Sequence, residues 1–122
     1  MLFARDGLGR RFGALLAASL LLATPAAAQT VTAPLATDAP LRDRAERCGG
    51  VVILALSQGP SPVLTTSLRT LAFAAMGQGA RSEDAQRAMI AWADAYVAAG
   101  DGLATFREDR PACLRLAESL AP

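Results

Sequence analysis

Two cysteines, Cys48 and Cys113, lie 65 residues apart and set the tightest limit on what this chain can fold into. They allow one intramolecular pairing, and whether it forms depends on the compartment, because thiols form lasting bridges only where the surroundings are oxidising. The N-terminus speaks to that. Arg5, Arg10 and Arg11 make a positive start, Gly13 to Ala23 is an apolar run, and Pro25-Ala26-Ala27-Ala28 ends it with small residues. Residues 1–28 therefore read as a secretory signal peptide cleaved between Ala28 and Gln29. The apolar run is about a dozen residues, short of the roughly 20 that cross a bilayer as a helix, so no transmembrane anchor is expected in the mature protein. The pair Arg10-Arg11 lacks a preceding Ser or Thr, which favours general export to the periplasm over the twin-arginine route. Both cysteines fall in the exported part. Closing so long a loop is worth about 4 kcal/mol on the chain-entropy model. Neither a Cys-x-x-Cys pair nor a neighbouring base is present to activate a thiol, so the reading is a structural Cys48–Cys113 disulfide, with a bridge to another chain as the alternative.

Hydrophobic spacing downstream predicts an all-α, four-helix domain over residues 38–122, preceded by a flexible arm at 29–37. Asp38 is the expected cap of a first helix whose apolar stripe is Leu41, Ala45, Cys48, Val52, Ala55 and Leu56. The run Val51 to Leu56 is apolar all round and follows Gly49-Gly50, so a buried strand is the alternative there; as a helix, its glycines would admit a close neighbour. A second helix is expected from Pro62 to Met76, capped by Ser61, with Leu64, Leu68, Leu71 and Ala75 inward. The third should run from a Ser82 cap to Ala99, burying Ala85, Met89, Trp92, Tyr96 and Ala99, with Glu83 and Arg87 as a solvated pair. After Asp101-Gly102, a short turn presenting Phe106 and then a helix capped by Asp109, running from about Arg110 to Leu120, complete the domain. Cys48 and Cys113 both fall on inner faces, as a bridge between the first and last helices requires.

Composition narrows the chemistry. The chain has no His and no Lys, which removes His-based nucleophilic triads, His metal ligands, Schiff bases and P-loops. A net charge of +1, falling to −1 once the leader is gone, gives no basic footprint for nucleic acid. The acidic pairs Asp43/Glu46, Glu83/Asp84 and Glu108/Asp109 sit beside arginines at expected helix starts or exposed faces, where capping and solvation explain them. No catalytic residue, metal site or cofactor is expected.

What remains is apolar. Met89, Trp92 and Tyr96 share one helix face, which is either core or the lining of a groove for a small apolar ligand. Phe73 lies about 180° from Leu64 on a helical wheel, near Arg69. With Met76, Ile90 and Val97 it falls off the stripes, so these residues are either covered by a neighbouring helix or exposed to a partner protein or a second copy. The expected function is that of an exported, non-enzymatic binding or accessory protein acting through Arg69, Phe73, Met76, Met89, Trp92 and Tyr96. The alternative is a periplasmic carrier of an apolar ligand held around Trp92 and Tyr96.

Overall fold

The structure, a computed structural model, describes residues 29–122; the signal-peptide segment expected at 1–28 lies outside the described residues. Four helices follow one another: α1 (Leu41–Leu56), α2 (Pro62–Gly77), α3 (Ser82–Ala98) and α4 (Gly102–Leu120). No strand occurs among the described residues, and Val51 to Leu56 is the helical second half of α1. The predicted stripes face a single core in which Cys48, Val51, Leu71, Tyr96 and Cys113 are fully enclosed.

The helix starts follow local chemistry. At α2 the Ser61 side chain accepts a hydrogen bond from the Leu64 amide at 3.3 Å, and Pro62 occupies the first turn, where its missing N–H costs nothing. The other end of α2 stops at Gly79, whose φ of +99° an L side chain rarely adopts. Two expected caps are displaced. Pro40, not Asp38, precedes α1, because its extended ψ of 144° keeps it out of the helix and Ala39 before it is steered the same way. Its neighbour Arg44 fixes the entry by donating to the Ala39 carbonyl at 2.8 Å. Likewise Ser82 is the first residue of α3, with extended Arg81 in the cap position. On that helix Arg87 meets Asp84 at 3.7 Å rather than Glu83, an exposed contact of little energetic weight.

The largest departure from expectation is α4, which is one helix rather than a turn followed by an Asp109-capped helix. Pro111 lies inside it. The proline is exposed, on the side where helix carbonyls can turn to water, so the lost backbone hydrogen bond does not break the element. Asp109 instead points inward, two turns after the buried Gly102. A Cβ at Gly102 would stand 1.7 Å from the Tyr96 carbonyl oxygen, so the tight return from α3 to α4 requires a glycine.

Helix α1 is the central element. Its glycines bring α3 close: a Cβ on Gly49 would meet the Met89 side chain at 2.4 Å, and one on Gly50 would meet Trp92 Cβ at 2.5 Å and the Ala93 amide nitrogen at 2.8 Å. On the other side the Cys48–Cys113 disulfide joins α1 to α4 with a Cα–Cα distance of 5.1 Å. Both cysteines are fully buried.

These contacts separate the two glycines energetically. Alanine gains about 1 kcal/mol over glycine in helix propensity. At position 49 the obstacle is a flexible thioether that can turn aside. At position 50 it is backbone. Urea unfolding should find Gly49→Ala near neutral and Gly50→Ala destabilised by about 1–3 kcal/mol, the usual cost of overpacking.

Candidate functional site

Helices α1, α3 and α4 meet around a buried polar cluster built by Arg47, Tyr96 and Asp109. From α1, Arg47 donates through Nε to the Tyr96 hydroxyl at 2.8 Å and through Nη2 to Asp109 Oδ2 at 2.9 Å. The Tyr96 hydroxyl donates to the same carboxylate oxygen. The guanidinium also lies against the Trp92 and Tyr96 rings, 5.1 and 5.4 Å from their centroids, in cation–π geometry. Phe106 meets Tyr96 edge-on at 6.4 Å and closes the cluster from α4.

The segment ahead of α1, expected as a flexible arm, reaches this cluster. Arg47 Nη2 donates to the Ala33 carbonyl at 2.6 Å, while Asp109 Oδ1 accepts from the Leu35 amide at 2.9 Å. Guanidinium and carboxylate thus hold the backbone on both sides of Pro34. Val31 and Leu35 pack against the core below. Among the described residues no buried side-chain polar atom lacks a partner.

Full satisfaction decides what the cluster can do. Burial, reinforced by the hydrogen bond to Asp109 and opposed by Arg47, pushes the Tyr96 phenol well above its ordinary range. Both Asp109 oxygens are engaged and Tyr96 has no solvent exposure, so neither group is placed to exchange a proton with a substrate. Asp43, Asp94 and Asp101 are exposed, and Glu46 pairs with Arg42 at 2.9 Å. No group of three potential metal ligands occurs among the described residues.

The six residues expected to form a binding surface are divided between interior and exterior. Met89 and Tyr96 are core residues, and half-buried Trp92 is covered by Arg47. The face expected to line a ligand groove is therefore packed by the chain's own groups. Arg69, Phe73 and Met76 stand together on the outside of α2. Phe73 is 62% exposed and Val63, one end of the same helix face, is 69% exposed. The off-stripe residues of α3, Ile90 and Val97, are also uncovered, but Arg87 and Asp94 stand among them as on an ordinary solvated face. Helix α2 is different: Arg69 is its single charge in 16 residues.

Two shallow, mainly apolar grooves run along the seam between α2 and the end of α4. One of about 340 Å³ lies between Val63, Thr66 and Thr70 on α2 and Ala117, Glu118 and Ala121. Its continuation of about 320 Å³ passes Phe73, Ala74 and Gly77 and reaches Leu120 and Pro122, sharing Thr70 with the first. The exposed side of α2 is thus one wall of a continuous trough. No helix among the described residues is long and apolar enough to cross a membrane. Comparison with protein-family models, with curated proteins and with solved structures finds no match.

Periodicity signalled the α2 face but not the cluster. Arg47 and Asp109 look like surface and capping residues by type. The available signal was spacing: Phe106, Asp109, Cys113 and Ala117 recur at intervals of three and four, which carries the inner stripe of α4 straight through the acid.

The cluster predicts a pH response. Tyr96 is the only tyrosine, so tyrosinate absorbance reports it alone. Its phenol should ionise well above the ordinary value of about 10 while the protein is folded and near that value once it is unfolded in urea. Because the folded-state value is raised, the stabilisation is complete below pH about 10 and declines as pH rises beyond it. Tyr96→Phe should remove that decline.

Proposed function

We propose that this protein is an exported, non-enzymatic interaction module that docks a partner through the outer face of α2 and the trough beside α4. The observation that carries this reading is an exposed helix face that presents Val63, Phe73 and Met76 with Arg69 as its single charge. Monomeric soluble domains usually break such faces with several charged side chains, as α3 does here with Arg87 and Asp94; an exposed apolar face with a single charge marks a contact surface. Arg69 stands beside Phe73 and Met76 on it, and arginine is a residue type that interfaces favour. The remaining chemistry is consistent with binding. The chain has no His, no Lys and no exposed cluster of ligand-type side chains among its described residues, and its one reactive pair of thiols is closed in a disulfide.

Location belongs to the same proposal. Its supports are the signal-peptide pattern of residues 1–28 and a disulfide that needs an oxidising compartment. The periplasm satisfies both. In that setting the mature chain starts at Gln29.

The test is photo-crosslinking in the native cells, with a photoreactive amino acid placed at Thr70 and, separately, at exposed Glu83 on α3. Position 70 should yield a discrete covalent adduct and position 83 none. Absence of any adduct at position 70 would refute the reading, as would equal labelling at both.

A further inference from the structure

Resting on that reading of the α2 face, we infer that its partner is a second copy of this chain, bound by antiparallel pairing of α2 with α2 across a two-fold axis. Four positions carry the inference. Val63, Thr66, Thr70 and Phe73 follow intervals of three, four and three, which places them along one straight seam of the helix and away from the inward stripe of Leu64, Leu71 and Ala75. That spacing reads the same in both directions. When the helix is laid antiparallel on its copy about Leu68, Val63 falls opposite Phe73 and Thr66 opposite Thr70, each twice. Apolar meets apolar and hydroxyl meets hydroxyl, the self-complementarity that an isologous contact demands.

Charge is compatible with this occupant: none of the four seam positions is charged, so the α2 seam meeting itself buries no charge, with Glu118 of α4 lining the groove beside it. The α2 helix of 16 residues is about 24 Å long. One helix face of that length, even with the rim of α4, covers less than the roughly 800 Å² per partner of a standard stable interface, so the dimer is a weak, concentration-dependent one. Arg69 flanks the seam close to the axis and faces its own copy there. It is the one unfavourable element in the arrangement.

Sedimentation velocity over a concentration series, on the oxidised protein purified after export, tests the pairing. Wild type should pass from monomer to dimer as concentration rises. Phe73→Asp should weaken the dimer by about 30-fold or more, because each copy loses its largest apolar anchor and buries a charge in its place. Arg69→Gln should tighten it, and Ile90→Asp on α3 should leave it unchanged. A wild-type protein that stays monomeric throughout, or an Ile90→Asp effect equal to that of Phe73→Asp, would overturn the inference. Register is tested by oxidising a mixture of Val63→Cys and Phe73→Cys proteins. The mixture should crosslink and either variant alone should not, because like positions lie about 15 Å apart in the antiparallel pair; the reverse pattern would overturn it. A foreign adduct at position 70 in cells together with a monomeric purified protein would sink the dimer while leaving the interaction module standing. No adduct and no dimer would sink both.

Discussion

The pairing of Arg47 with Asp109 is the interaction on which the rest of this structure depends. It joins α1 to α4, takes in α3 through Tyr96, and fastens the segment before α1 through Ala33 and Leu35. A buried ion pair is not stabilising merely by being buried, because taking two charges from water costs about as much as their attraction returns. Its force lies in selectivity. An arrangement of these three helices that parted Arg47 from Asp109 would leave the buried carboxylate without its charged partner. The disulfide acts beside it: Cys48 follows Arg47 directly, and Cys113 lies one turn beyond Asp109. Covalent and ionic ties therefore fix the same stretch of α1 against the same stretch of α4.

That arrangement leaves α2 outside. No disulfide and no member of the polar cluster lies on it, and it is held by Leu64, Leu68, Leu71 and Ala75 packing inward. A helix that contributes only one stripe to the core is free to carry a second apolar stripe on its outer side. The disulfide and the polar cluster tie the other three helices together, while α2 presents Val63 and Phe73. On the proposed reading, stability and contact are assigned to different faces of a very small domain, and the single charge of α2 goes with the contact face.

Much of this was legible in the chain. Apolar spacing located four helices, their inward faces and the off-stripe position of Phe73, and the cysteine positions on inner faces anticipated their bridge. Glycines 49 and 50 announced a close neighbour, which proved to be α3. The polar interior was not legible, because residue type and position pull in opposite directions there. Asp109 beside Pro111 has the chemistry of a helix start, and only the tertiary contact with Arg47 explains why a helix runs through both. Trp92 and Tyr96 were open to two readings, and the structure sets an arginine from another helix against both rings.

The most direct measurement of this account is a double-mutant cycle at the ion pair, read by urea unfolding of the oxidised protein. Arg47→Met and Asp109→Leu each leave one charge buried without its partner, so each should lose about 3–5 kcal/mol. The double variant, which removes both charges, should lose far less than the two losses combined. Losses that simply add, or single variants as stable as wild type, would contradict the claim that this pair organises the fold.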